Sequence, residues 1–401
     1  MRVTPAILAV ALTVFAACTE RSPAPTDVIS AARSGVPFEA GLASPAWQAK
    51  TASLIATANT APVNAARLYA FVGVAQYLAV QRAEGTSGGG RDQLEADRGA
   101  VAGASAVVLS FLFPTKVAEL EAIVEAQSNA GPGQPHPAFA KGEAIGRAVG
   151  AEIVAYSQTD GFNAPFSFTI PVGPGLWTSN TTPPTLAGGP AAVTRPWFLT
   201  SQNQFRPGAP PAFGSTDFNT ARDEVRHISD TRTPEQTAIA AFWALNAGTP
   251  TAPGFWLQVA TDNIISHGLS EREATHVYAL TSATMWDAVI GCWEAKEFYW
   301  VIRPWQTDPL ITTTAAVGKP NHPSYPSGHS CVSSSGAEVI STVFPEQRAQ
   351  LEAMVTQAGL SRVYGGIHYQ FDITAGQALG RNVAHFAIAA DASGNSVLTP
   401  H

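Results

Sequence analysis

A run of apolar residues at helical spacing extends from about Ala274 to Ile302, and shorter runs of the same period lie on both sides of it. Alternation of period two is scarce, so the chain is expected to be all-α. In the first half, Leu68, Phe71, Ala75 and Leu78 mark one helix, followed by Val101 to Phe113, Val117 to Ala126 and Ala138 to Tyr156. Helical pattern then stops from Thr159 to Asp230, a stretch dense in Pro, Gly, Thr and Asn. It resumes at Pro234–Leu245, Phe255–His267, Glu271–Ile302, Gly328–Phe344, Pro345–Ala358 and Phe371–Ala389. The simplest architecture is two helical bundles, residues 61–158 and 234–390, joined by a long irregular crossover at 159–233, with a tail at 391–401.

With 401 residues, 45% hydrophobic and only 13% charged, the chain can bury a large core. A net charge of −7 argues against nucleic acid as a partner, because phosphates demand a basic surface. Any anion this protein handles must be drawn by a local positive pocket. Residues 1–17 read as a signal peptide: Met1-Arg2, an apolar run from Ala6 to Ala17 too short to span a bilayer, then Cys18. Phe15-Ala16-Ala17-Cys18 resembles a bacterial lipobox, which implies lipidation at Cys18, a tether within 18–60, and a secreted protein anchored to the membrane of the cell envelope. Ordinary signal cleavage near Ala17 is the alternative. Cys292 and Cys331 are the remaining cysteines, and the sequence leaves open whether they are bridged or buried as free thiols.

Three separated fragments in the C-terminal half concentrate the chemistry: Lys296-x6-Arg303-Pro304, Pro326-Ser327-Gly328-His329, and Ser361-Arg362-x5-His368-x3-Asp372. A seven-residue step returns to nearly the same helical face, so Lys296 and Arg303 are expected to project together from one helix that Pro304 ends. Ser327 stands where an N-cap would, which leaves the Gly328 amide free at the positive end of a helix. Asp372 lies one turn beyond His368 and is placed to orient its ring. Three cations, a hydroxyl, a backbone amide and two imidazoles are what a tetrahedral oxyanion needs. Gly85-Thr86-Ser87-Gly88-Gly89 also matches a nucleophile-elbow pattern, but it lacks the strand–turn–helix context that chemistry requires.

The tripartite pattern resembles the signature of the superfamily that unites vanadium-dependent haloperoxidases, type 2 phosphatidic acid phosphatases and bacterial acid phosphatases. The resemblance extends to Arg232-Thr233-Pro234-Glu235-Gln236, Phe242-Trp243, Gly248-Thr249-Pro250 and Phe255-Trp256 before the second bundle, and to the crossover loops around Trp177, Trp197 and Phe205. It implies that Lys296, Arg303, Ser327, Gly328 and Arg362 hold the equatorial oxygens of vanadate or phosphate. It also makes His368 the axial ligand or nucleophile and His329 the acid/base. Trp293 and His322 stand where the haloperoxidases shape a halide pocket. The single-bundle phosphatases are about half this length, so size favours the haloperoxidase branch. The expected activity is vanadate-dependent oxidation of halide by hydrogen peroxide; the alternative is a phosphomonoesterase with a His nucleophile and no cofactor. The resemblance also implies a homodimer.

Overall fold

The computed structural model describes residues 41–130 and 136–399. Cys18 and the signal segment lie outside the described residues. Thirteen α-helices and no strand occur among them. The first five are α1 (Ala43–Thr57), α2 (Pro62–Ala83), α3 (Gly90–Leu112), α4 (Val117–Ser128) and α5 (Pro137–Thr159). The crossover carries α6 (Thr216–Thr231), and the second group comprises α7 (Pro234–Phe242), α8 (Thr251–Ser266), α9 (Glu271–Tyr299), α10 (Pro304–Thr307), α11 (Gly328–Val343), α12 (Arg348–Tyr364) and α13 (Gln370–Ala392).

Two helices depart from the sequence expectation. Helix α1 falls in what reads as a lead-in; its Trp47, Leu54 and Ile55 are buried, and the Glu271 carboxylate receives the Ala43 and Ser44 amides at its first turn. Helix α6 interrupts the supposedly irregular crossover. Its apolar stripe is thin, with Phe218 and Val225 the buried positions, and a Ser215 N-cap starts it. Sparse apolar content hid α6 from a periodicity argument, and α1 escaped because its apolar residues do not gather on one face.

The two helical groups share one core. Helix α2 packs along α9 so closely that a Cβ on Gly73 would strike the Tyr278 carbonyl and the Ser282 hydroxyl. Continuous burial links Trp47, Phe71 and Phe139 with Trp243, Trp256 and Trp286. Within the first group, α3 and α5 run with backbones in contact. A Cβ on Gly142 or Gly146 would collide with the carbonyls of Ala96 or Ala100. Gly142→Ala is therefore expected to destabilise the protein by about 2 kcal/mol. Alanine's better helix propensity, about 1 kcal/mol, is outweighed because the obstacle is backbone and cannot rotate away. Urea denaturation measures the difference, and a variant more stable than wild type would contradict the close approach.

The crossover is fixed where it passes the second group. Asp287, fully buried on α9, accepts the amides of Trp197 (2.7 Å), Phe198 (2.7 Å) and Leu199 (3.0 Å). Burial pushes its carboxyl up to about 6, and the three N–H groups oppose that shift. Further on, the Trp177 amide donates to the Trp300 carbonyl and the Ile302 amide to Gly175. These bonds end α9 earlier than its sequence suggests. Trp300 takes a left-handed conformation (φ 50°), and Val301 pairs with Leu176 instead of continuing the helix.

Candidate active site

That early stop corrects the route by which Arg303 reaches the site. Arg303 does not share a helical face with Lys296; it is an extended residue that caps α10. The two side chains nevertheless converge, because the chain turns at Trp300. Arg362 likewise sits in the last turn of α12, which runs on to Tyr364, beyond the Ala358 expected. Gly365 and Gly366 then break the chain, Gly366 with φ 74°, which a side chain rarely adopts.

Backbone bonds lash the three fragments together. The Lys296 ammonium donates to the carbonyls of Pro323 (2.8 Å), Ser324 (2.9 Å) and Pro326, joining the first fragment to the second. Arg303 Nη1 donates to the Ile367 carbonyl (2.7 Å), joining the first to the third, and Nε donates to the His322 carbonyl (2.9 Å). The Ser327 amide donates to the Asp372 carbonyl (3.0 Å), joining the second to the third. Close approach makes this possible: any Cβ on Gly376 would press on the Ser327 carbonyl.

A cavity of about 320 Å³ opens beside these bonds, lined by Arg303, His322, His329, Arg362 and His368 with Trp293 and Gly328. Ser327 caps α11, its hydroxyl accepting the Ser330 amide (3.4 Å). The Gly328 and His329 amides of that first turn have no intrahelical acceptor and point ahead of the helix. A side chain at Gly328 would close this space, since its Cβ would lie 3.2 Å from the Trp293 ring. Lys296 and Ser327 are not on the cavity wall. All three protons of Lys296 are taken by carbonyls, so in this structure it supplies charge from behind the wall.

The hydrogen bonds assign the His368 tautomer. Nδ1 donates to Asp372 Oδ2 (2.8 Å), which leaves Nε2 as an acceptor, met by Arg303 Nη1 at 3.1 Å. Asp372 Oδ2 also takes the Ser324 hydroxyl and the Tyr369 amide (3.1 Å), so the orienting carboxylate is itself held. Burial, then the charges of Arg303 and Lys296, hold the His368 imidazole well below the usual histidine range. His322 stacks near Trp293, ring centroids 5.1 Å apart, and its Nδ1 accepts from Arg303 Nη2 at 3.1 Å. Burial and Arg303 keep it unprotonated as well. The Trp293 indole N–H is satisfied by the Ala187 carbonyl of the crossover (2.9 Å).

His329 has a buried Nε2 with no partner, while the Trp243 and Ala244 carbonyls face its ring. Burial and Arg362 hold it unprotonated. Arg362 donates through Nε to Ser361 and through Nη2 to the Ala240 carbonyl (3.2 Å). Trp243, Ala244, Ala240 and Ser324 are participants the motif does not contain. Ala240, Trp243 and Ala244 act through backbone carbonyls, which leave no mark on residue type. The sequence signal near them was the resemblance carried by Arg232–Gln236 and Phe242-Trp243, which names Trp243 but not the role of its carbonyl.

Charge at the site is unbalanced. Lys296, Arg303 and Arg362 are 0%, 0% and 1% exposed, and the buried carboxylate among them is Asp372. Burial drags the cations down to about 8, about 10 and about 9 respectively. Asp372 is pushed up to about 6 by the same cause. Buried charge is costly unless paired, and one carboxylate against three cations leaves the cluster with an excess of positive charge. Cys292 and Cys331 lie against each other as buried, unbonded thiols, with Cys292 donating to the Pro326 carbonyl at 3.7 Å.

Residues 274–392, which span all three fragments, match the PAP2 superfamily. A non-specific acid phosphatase of Providencia stuartii is 30% identical over 119 residues, covering 29% of this chain and 48% of the phosphatase. The matched part thus spans about half the length of that relative. Two solved structures cover far more of the chain. A bacterial vanadium-dependent iodoperoxidase superposes with a TM-score of 0.74 at 22% identity, over 86% of this chain and 95% of its own. A bacterial vanadium-dependent chloroperoxidase gives 0.64 at 15% identity, over 81% and 91%. Residues 274–392 thus carry the likeness to the PAP2 superfamily, and the chain from first bundle to last has the haloperoxidase fold.

Proposed function

We propose that the protein is a vanadate-dependent haloperoxidase, oxidising halide with hydrogen peroxide. The observation that carries the reading is the set of three buried cations with one carboxylate around the unprotonated Nε2 of His368. The residues fit vanadate: Arg303 and Arg362 face the cavity, Gly328 leaves room, and His329 Nε2 is an unused polar atom. Vanadate, when bound at Nε2, supplies an electrophilic centre that activates peroxide toward halide. Arg303, Arg362 and the α11 amides would hold its oxygens, and Lys296 would add field from behind. For Nε2 to hold the group, the Arg303 Nη1 contact at 3.1 Å would have to be given up, which would free the lone pair. An anion there would also offset the Arg362 charge, so His329 would gain basicity and could hold or release a proton at Nε2.

The same cluster supports phosphomonoester hydrolysis, and the similarity to an acid phosphatase over 119 residues favours this second reading. His368 Nε2 would attack phosphorus, and the ester oxygen would leave with a proton from His329, which would take that proton up once the bound phosphate offsets the Arg362 charge; water would then release phosphate. One pair of assays separates the two. Protein reconstituted with orthovanadate should brominate a dye only when peroxide is added, and vanadate-free protein should hydrolyse p-nitrophenyl phosphate poorly. Efficient ester hydrolysis with no peroxide-dependent bromination would replace the first reading by the second. Attachment to the envelope through Cys18 belongs to the same proposal, on the strength of Phe15-Ala16-Ala17-Cys18. Mass spectrometry of the mature N-terminus should find an acylated Cys18, and an unmodified terminus would remove the anchor.

A further inference from the structure

The cavity is larger and less polar than an oxyanion alone requires. A dry apolar cavity of about 150 Å³ already holds benzene, and this one is about 320 Å³. Its polar groups come from the three fragments and, outside them, from Asn64, Asn246, Lys319, Asn321 and His322. The rest of the wall is apolar: Pro62 and Val63 from the start of α2, Ala252 and Pro253 from the start of α8, Val289 from α9 and Val332 from α11. Val63, Ala252, Val289 and Val332 are each under a tenth exposed, so they are parts of the packed frame and hold the wall in place. The first helical group, which contributes none of the oxyanion residues, thus supplies one apolar face of the chamber.

We infer that this chamber binds the apolar ring of an organic substrate, an arene of one or two rings, directly beside the oxyanion cluster. The inference deepens the proposed function by naming the class of compound presented to His368, and it rests on that reading only for the chemistry done there. Binding of the ring rests on the chamber itself. Burying a ring against this wall removes apolar surface from water on both sides, which favours binding and gives a negative heat-capacity change. A small, fully hydrated alcohol would gain little from the same wall.

Calorimetry with 2-naphthol, at several temperatures, tests this on the full chain. The wild type should bind it with a negative heat-capacity change and at least tenfold more tightly than it binds ethanol. Ala252→Phe, which fills the chamber, should weaken 2-naphthol at least tenfold. Val63→Thr, nearly the same in volume and so a safeguard against misfolding, should weaken it about threefold. A parallel titration with orthovanadate should give affinities within twofold of wild type for both variants. Naphthol binding that is absent in the wild type, or unchanged in both variants, overturns the inference. Vanadate binding that is absent while naphthol binding behaves as described would instead overturn the oxyanion reading and leave the chamber standing.

Discussion

His368→Ala is expected to lower turnover roughly a million-fold, whichever of the two activities the wild type displays. The size follows from the role: loss of a nucleophile or ligand removes the reaction's covalent or coordinate attachment, and such deletions cost on the order of 10⁶. The geometry allows a sharper check. His368→Ala leaves Asp372 with its Ser324 and Tyr369 donors, so the frame should persist and added imidazole should restore part of the rate. A variant keeping more than a hundredth of wild-type activity would show that the attachment is elsewhere. In the wild type, turnover should fall as the pH drops below about 6. Protonating Asp372 removes the acceptor that fixes the Nδ1–H tautomer, and its carboxyl is raised to about 6 by burial. A rate flat from pH 7 to 4.5 would contradict that dependence.

Arg362→Met should separate function from stability in opposite directions. Its guanidinium lines the cavity, and no carboxylate ion pair holds it. Removing it should cost about 3 kcal/mol at the transition state, on the order of a hundredfold in kcat/KM, with weaker orthovanadate binding. The ligand-free variant should melt at or above the wild-type temperature, because an apolar side chain of similar volume replaces a buried, unpaired charge. Orthovanadate should raise the wild-type melting temperature far more than the variant's. At a hundred times its dissociation constant a ligand adds about 2.7 kcal/mol. A variant that melts well below wild type without ligand would mean that Arg362 is a structural residue.

Much of this was legible in the sequence because it is written in residue types. The all-α class follows from periodicity, and the C-terminal fragments carry rare combinations such as Ser327-Gly328-His329 that mark helix starts and charge together. The geometry that joins them was less legible. Lys296 and Arg303 converge through a left-handed Trp300 and a pairing with the crossover, and no local pattern announces a long-range backbone bond. The carbonyls of Ala240, Trp243 and Ala244 escaped for a related reason: any residue could supply them. The thin stripe of α6 shows the converse limit, a helix whose partners, Ile311 and Tyr369, lie far along the chain.

Gly73 on α2 sets a practical boundary on dissection. Its missing side chain lets Tyr278 and Ser282 of α9 seat directly against the first helical group. A truncated clone beginning at α7 would carry every chemically interesting residue yet present that flank of α9 naked to water. Such an excised half should be sticky and poorly expressed, so catalytic engineering of this protein has to start from the intact chain.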